Sequence, residues 1–586
     1  MGWDYALVHL YYNIPPAALL TACYYPFCTK LDVYKILFLV IIAVASTTPW
    51  DSYLIRRRIW TYPSDAIVGP TLFNIPAEEI FFFVIQTYNT SLLYLLASKP
   101  TFHSIYLRGE KLLHDGRRLR TWRWIAAVFL VAAILLGAAM IAQNGRGLYM
   151  GLIIVWAGPF ILSLWMLAYQ LLINLPASNT LFPVLAPTLY LWIVDTIALR
   201  RGTWVIQSGT KLGWHLWDGL DVEEAFFFLV TNTLIVFGLV AFDNALAILN
   251  TFPCHFPAVA PLPSPVQLVK ALLFSPSHYQ DDRILGLQEA LKRLRKKSRS
   301  FYLASGCFEG RLRIDLILLY SFCRVADDLV DNASSGAEAR QWIVKLTEYL
   351  DICYAKTAEK STSRDAFIRS AFPAQAQSAL LLLPTAYLSP TPLYDLIRGF
   401  ETDLDFSTGH FPIADELKLK IYGSRVAGTV AELCLELAFH HSNGQNGQQE
   451  RQEIVQAGGR MGIALQYVNI ARDIAVDVKN NRVYIPTSWL DSKVLRPEDV
   501  LKDPSSLMVE ALRQRLLDEA MDIYKEAKGA IELLPSQSRG PMRVAVESYV
   551  EIGRLLRESG YKVKAGRATV PKRRRLRVAW TALRKG

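Results

Sequence analysis

Cysteine is scarce in this chain: seven among 586 residues, with no Cys-x-x-Cys pair. That excludes a disulfide framework and argues against a zinc site. The N-terminus lacks the basic region and cleavage site of a secretory leader, so the first apolar segment is expected to be retained as a membrane helix. No Gly-x-Gly-x-x-Gly element follows a strand, which removes a dinucleotide-binding fold from consideration. Nucleic acid is excluded as a partner on similar grounds. The formal charge is +11, but no nucleic-acid motif accompanies the basic residues. Their densest clusters, at 292–297 and 572–575, suit a membrane surface or an anionic diphosphate as well.

What the chain has in excess is apolar residues, 52% against 20% charged. They are unevenly spread. Residues 1–250 hold seven apolar segments, near 3–21, 34–50, 76–97, 122–143, 148–173, 181–199 and 222–248. The fourth has no charge after Arg123 and is about long enough to span a bilayer. A chain this long is expected to hold at least two domains. The division expected is a membrane domain over 1–250, a linker over 251–282 and a second domain over 283–586. Pro253, Pro257, Pro261, Pro263, Pro265 and Pro276 predict a stiff, non-helical linker. Beyond it, helical periodicity continues with no strand alternation.

The membrane half repeats itself. Asp51 and Asp195 stand 144 residues apart, as do Trp60 and Trp204. The pairs Glu78, Glu79 and Glu223, Glu224 stand 145 apart, each followed one residue later by three phenylalanines. The copies, about 3–97 and 148–248, are offset by an even number of spans. They therefore run the same way, about a pseudo-twofold axis along the membrane normal. That brings Asp51, Asp195 and both glutamate pairs to one membrane face. One such pair is accounted for by the helix dipole and headgroup water. A duplicated set of acids in apolar helices points to chemistry.

In the second half, Tyr320, Arg324, Asp327 and Asp331 follow at offsets of 4, 3 and 4 and share one helix face. Gln466, Asn469, Asp473 and Asp477 do the same at 3, 4 and 4. A lone Asp-x-x-x-Asp is usually a solvated face. Here the flanks are apolar, Leu316 to Leu319 and Ile463 to Leu465, and charges so placed need partners. Carboxylates one turn apart can share hard cations that also take phosphate oxygens.

These residues carry a resemblance. Residues 285–570 resemble the squalene and phytoene synthases, all-α isoprenoid synthases. Ser298, Ser300 and Phe301 match the family's opening element, with Lys297 where some members have histidine. Tyr320, Arg324, Asp327 and Asp331 match its first aspartate motif, and Tyr422 with Arg425, Ala427 and Gly428 its central tyrosine motif. Gln466, Asn469, Arg472, Asp473 and Asp477 match the second aspartate motif, and Arg482, Tyr484 and Pro486 the element after it. The resemblance implies magnesium, with manganese as the alternative ion, held by Asp327, Asp331, Asn469, Asp473 and Asp477. It implies diphosphate and prenyl contacts at Ser298, Ser300, Phe301, Tyr320, Arg324, Gln466 and Arg472, with Tyr422 catalytic.

With both repeats read, residues 1–248 are similar to the cyclase half of the fungal fused lycopene cyclase–phytoene synthases, whose relatives carry Pro-x-Glu-Glu motifs. Pro76 keeps that proline; Asp221 replaces it in the second copy. The resemblance implies redox-neutral closure of lycopene ends into β-rings. Glu78 and Glu223 are expected to lead, with Glu79 and Glu224 assisting, and Asp51 and Asp195 are further catalytic candidates on the same face. The fold expected is all-α: a seven-helix transmembrane bundle with a parallel internal repeat, then an all-α isoprenoid synthase. Expected partners are isoprenoid diphosphates, carotenoids, the lipid bilayer and other enzymes of the carotenoid pathway. Two alternatives stay open: a membrane-anchored squalene synthase, and a synthase fused to a transporter-like bundle.

Overall fold

The structure, a computed structural model, describes residues 2–109, 116–355, 360–406, 410–442, 447–558 and 570–585. The chain divides into two compact units, Met1–Ile284 and Leu285–Gly586.

The first unit is built of α1 (Asp4–Val8), α2 (Ile14–Tyr24), α3 (Lys30–Arg56), α4 (Ala77–Ser98), α5 (Gly116–Gln143), α6 (Leu148–Asn174), α7 (Ala177–Arg201), α8 (Val222–Thr251) and α9 (Pro265–Leu272). Six of these, α3 to α8, contain stretches long and apolar enough to cross a membrane. The expected seventh span, near 3–21, is not among them, because that segment forms two short helices. A π turn, His9–Asn13, separates α1 from α2 just before Pro15 and Pro16, which have no N–H for the helical ladder. In α8, 67% of the apolar window is buried, against 11% in α5. Hence α8 is the central helix and α5 a peripheral one.

The expected non-helical linker is a correction. Within 251–282, α9 forms because Pro265 occupies its first turn, where no N–H is needed, and Ser264 with Gln267 makes a capping box. Leu268 and Ala271 of α9 and Phe252 are buried in the same core as α8.

The repeat is visible as symmetry. Between α3 and α4 lie β1 (Trp60–Thr61) and the hairpin β2 (Thr71–Leu72) with β3 (Ile75–Pro76). Between α7 and α8 the order recurs as β4 (Val205–Ile206), β5 (His215–Trp217) and β6 (Leu220–Asp221). Strands β1 and β4 pair antiparallel, with Thr61 opposite Val205, its own equivalent at the repeat offset. Deeper in the bundle, Gln86 Nε2 donates to Thr231 Oγ1 at 2.8 Å, again between equivalents. The pseudo-axis thus passes between α4 and α8. Symmetry fails at two equivalent positions. Lys35 Nζ donates to Asp243 Oδ1 at 2.6 Å, where the other crossing has Asn179 Nδ2 donating to Ser98 Oγ at 3.4 Å.

The second unit is helical and encloses a cavity. The first aspartate helix, Gly310–Asp331, shares a core with the helices Gly336–Tyr354 and Pro390–Leu404. The second, Gln448–Asp477, shares another with Leu507–Ala527 and Ser536–Leu556. Each buries its apolar stripe in its own core and turns acidic residues to the cavity between them. A π turn, Ser424–Gly428, crosses the second aspartate helix at Gly462, where a Cβ would stand 2.5 Å from the Ala427 carbonyl oxygen.

Candidate active sites

The second unit's cavity has a volume of about 690 Å³. Every residue expected for this half lines it: Ser298, Ser300, Phe301, Tyr320, Arg324, Asp327, Asp331, Tyr422, Gln466, Asn469, Arg472, Asp473 and Asp477. Its remaining wall is largely apolar, including Leu316, Phe400, Val430, Met461 and Leu534. The Ser298 hydroxyl caps the helix Arg299–Ser305 by accepting from the Phe301 N–H at 3.3 Å. Phe301 stacks on Tyr549 at 5.2 Å, and Tyr549 in turn donates to Asn469 Oδ1 at 3.0 Å. The opening element and the second aspartate helix are thereby tied through one aromatic pair.

Cations interleave with the acids. Arg324 Nη1 meets Asp327 at 2.8 Å, and its Nη2 bonds Asp328. Lys297 also reaches Asp328, at 3.1 Å. Arg482 pairs with Asp331 at 2.9 Å and Arg472 with Asp473 at 2.7 Å. Burial, then the charge of Asp331, pushes the Asp327 carboxyl up to about 7 despite Arg324. Burial and the nearby Asp473 also drive Asp477 well above the carboxylate range. Burial acts the same way on Asp328, but the Arg324 and Lys297 bonds overcome it and hold that group low.

The donors at this end are oxygens only, which suits a hard divalent cation. The raised carboxyls mark a site with more acid than its arginines neutralise, so a bound cation would relieve it. Among the described residues no three acidic, His or Cys side chains form a ready metal cluster. The acids are divided between two walls, and such an ion would complete its shell with water and phosphate oxygen.

In the first unit the duplicated acids converge. Glu78 and Glu223 occupy the second position of α4 and α8 and accept backbone N–H bonds from Val68 and Leu212, both at 2.7 Å. Each therefore ties its preceding loop to a helix N-terminus. Glu79 and Glu224 point elsewhere. Glu79 Oε2 accepts from Tyr5 and, at 2.6 Å, from Tyr62. Glu224 Oε1 accepts from Tyr149 at 2.7 Å. Trp204 Nε1 donates to Asp195 Oδ1 at 3.1 Å. Asp51 lies within electrostatic reach of Glu79, and Asp195 within reach of both Glu79 and Glu224. Asp221, which stands in place of the proline, pairs with Lys211 at 2.7 Å and His215 at 3.0 Å.

Sequence reasoning missed several residues here. Asp403 accepts from Tyr422 at 3.0 Å and Tyr484 at 2.7 Å, and burial pushes it up to about 6. Its signal was an acid continuing the buried stripe Leu393, Leu396, Phe400 of its helix. Tyr5 and Tyr149 stand 144 apart, the repeat offset itself, and that coincidence would have found them. Tyr62 has no such sign, because its equivalent is Ile206.

A helical cavity with aspartates on facing walls and an apolar interior defines an isoprenoid-diphosphate coupling enzyme. A family model described as squalene/phytoene synthase matches residues 294–574. Over the whole chain, the protein is 59% identical to a bifunctional lycopene cyclase/phytoene synthase of Leptosphaeria maculans, covering 100% of both chains. Identity is 58%, with the same coverage, to the protein of that name from Pyrenophora tritici-repentis. The chain belongs to the family of bifunctional lycopene cyclase/phytoene synthases. Among solved structures, a dehydrosqualene synthase matches at 22% identity and a TM-score of 0.42, over 51% of this chain and 96% of that one.

Proposed function

We propose that the second unit joins two C20 prenyl diphosphates head to head into phytoene, and that the first unit closes the linear ends of lycopene into β-rings. The observation that carries the first activity is the single cavity in which both aspartate stripes, their arginines and an apolar wall meet. Asp327, Asp331, Asn469, Asp473 and Asp477 would hold magnesium, with manganese the alternative. Bound there, the ions would draw charge from the diphosphate and ease its departure. Arg324 and Arg472 balance the leaving group. Phe301, Tyr320 and Tyr422 turn ring faces to the allylic cation. Ser298, Ser300 and Gln466 line the polar end, and the apolar wall keeps out water that would capture the cation.

For the second activity, Glu79 and Glu224 are the proton-handling groups, with Asp51 and Asp195 beside them. Glu78 and Glu223, engaged with backbone amides, position the two loops. The six apolar helices support a multi-pass location in the bilayer, from which a carotenoid can enter the bundle directly. The two reactions are not consecutive. Phytoene must be desaturated before its ends can cyclise, so an oxidising enzyme of the same pathway acts between them.

The test is the purified full-length protein in detergent, given C20 diphosphate together with C15 diphosphate and magnesium, with and without NADPH, followed by product mass. Phytoene is expected under both conditions. Squalene from C15 diphosphate as the dominant product would overturn the assignment in favour of a membrane-anchored squalene synthase.

A further inference from the structure

The duplication suggests two cyclisation sites, one per repeat. The geometry is otherwise. From Glu79, Tyr5 runs to the Trp204 ring at 5.1 Å, and Trp204 bonds Asp195 of the second repeat. From Glu224, Tyr149 meets the Trp60 ring edge-on at 6.0 Å, and Trp60 stacks on Tyr62 at 6.3 Å, which returns to Glu79. Each repeat's glutamate is thus reached through the other repeat's tryptophan, and β1 pairs with β4 beside them. The acids form one group around one set of rings.

Within that group the two glutamates differ. Glu79 takes two phenol donors on a single oxygen, an arrangement that favours a carboxylate anion. Glu224 takes one, and its Oε2 is buried without a partner, as are Asp51 Oδ2 and Asp195 Oδ2. These three residues are at most 2% exposed. A buried carboxylate oxygen with nothing to accept from is costly, whereas a carboxylic acid carrying its proton there is poised to give it away.

We propose that the bundle holds one composite cyclisation site, in which Glu224 is the proton donor and Glu79 the base; this rests on the cyclase reading above. A proton passes from Glu224 to C2 of the terminal double bond, leaving a tertiary cation at C1. The C5–C6 double bond supplies the pair that forms the C1–C6 bond, moving the cation to C5. Loss of the C6 proton to Glu79 restores a double bond between C5 and C6. Product and substrate are isomers, and the proton returns from Glu79 to Glu224 through Asp51 and Asp195. Trp60, Tyr149 and Phe227, packed edge to face beside the acids, supply the aromatic surroundings in which the cationic stages form.

The experiment uses the full-length protein in lycopene-accumulating cells, scoring ring products and, as the folding control, phytoene formed by the same chain from C20 diphosphate. Absence of rings from the unaltered protein would sink the cyclase reading itself. Given rings, Glu224→Gln is expected to abolish closure, by about 100-fold or more, with phytoene unchanged. Glu79→Gln is expected to fall about 10-fold or more and to leave rings whose double bond is displaced, because another group takes a different proton. Retention of about half the rate by either variant would mean two independent sites. Residual rings of β-type only, no rings at all from Glu79→Gln, or displaced isomers from Glu224→Gln would overturn the division of roles.

Discussion

Asp403 illustrates what a single buried carboxylate can hold in place. It fixes the hydroxyls of Tyr422 and Tyr484, whose rings stack at 5.1 Å on the cavity wall. Replacing it with asparagine keeps the shape and removes the charge that both phenols donate to. Asp403→Asn is therefore expected to slow phytoene formation by about 10-fold or more, the scale of one charge-assisted hydrogen bond. Steady-state rates alongside a thermal melt would check it: a fall in melting temperature that accounts for the lost activity would make Asp403 structural only. The aspartate helices were legible because four spaced residues in each repeat a helical face, so chance is a poor explanation. Asp403 was overlooked because it is a single acid continuing an apolar stripe, with no second acid at helical spacing to mark it. Tyr62 was illegible for a different reason: its bond to Glu79 spans a loop whose path no periodicity encodes.

At the level of elements, the second aspartate helix is held by a backbone contact. Gly462 lies two turns before Asn469, against the π turn that follows Tyr422, and any Cβ there collides with the Ala427 carbonyl. Gly462→Val is expected to cost roughly 1–3 kcal/mol, as overpacking does. It should also weaken coupling by displacing Asn469 and Asp473 relative to the first aspartate helix. Differential scanning calorimetry and a phytoene assay would report the two effects; an unchanged melt would refute the collision. Helices were the part of this fold most readily read, since long apolar or amphipathic periods admit few other answers. The exceptions are instructive. Prolines at 15 and 16, like proline at 265, stand in the first turn of a helix, where no N–H is needed, although in sequence they look like breaks. Position relative to the helix start decides, and that position depends on the cap and on the packing of α9 against α8.

For the molecule as a whole, the two units do different chemistry with different needs. The aspartate cavity has an oxygen-donor set fit for a hard cation, whereas the ring closure proposed for the bundle is driven by proton transfer between side chains. Chelation of divalent metal is expected to abolish phytoene formation and to leave conversion of supplied lycopene intact, with magnesium restoring the first. Loss of both activities on chelation, measured in one detergent preparation with both substrates, would refute this separation. The product assignment was legible only from the two halves together, because aspartate motifs report diphosphate coupling and little about the product. The repeat itself was legible from its spacing, but the meeting of its acids in one group was not, since that depends on where the paired loops carry Trp60 and Trp204. The mismatch between the Lys35–Asp243 and Asn179–Ser98 crossings bears on ancestry. A homodimer of the first repeat would set Lys35 against Ser98 twice, leaving each ammonium group only Asp32, which Lys99 already pairs, within reach. One of the second would set Asp243 against Asn179 twice, burying two acids without a base. Neither copy can now stand in for the other. The ion pair thus marks the two copies as complements of each other rather than duplicates.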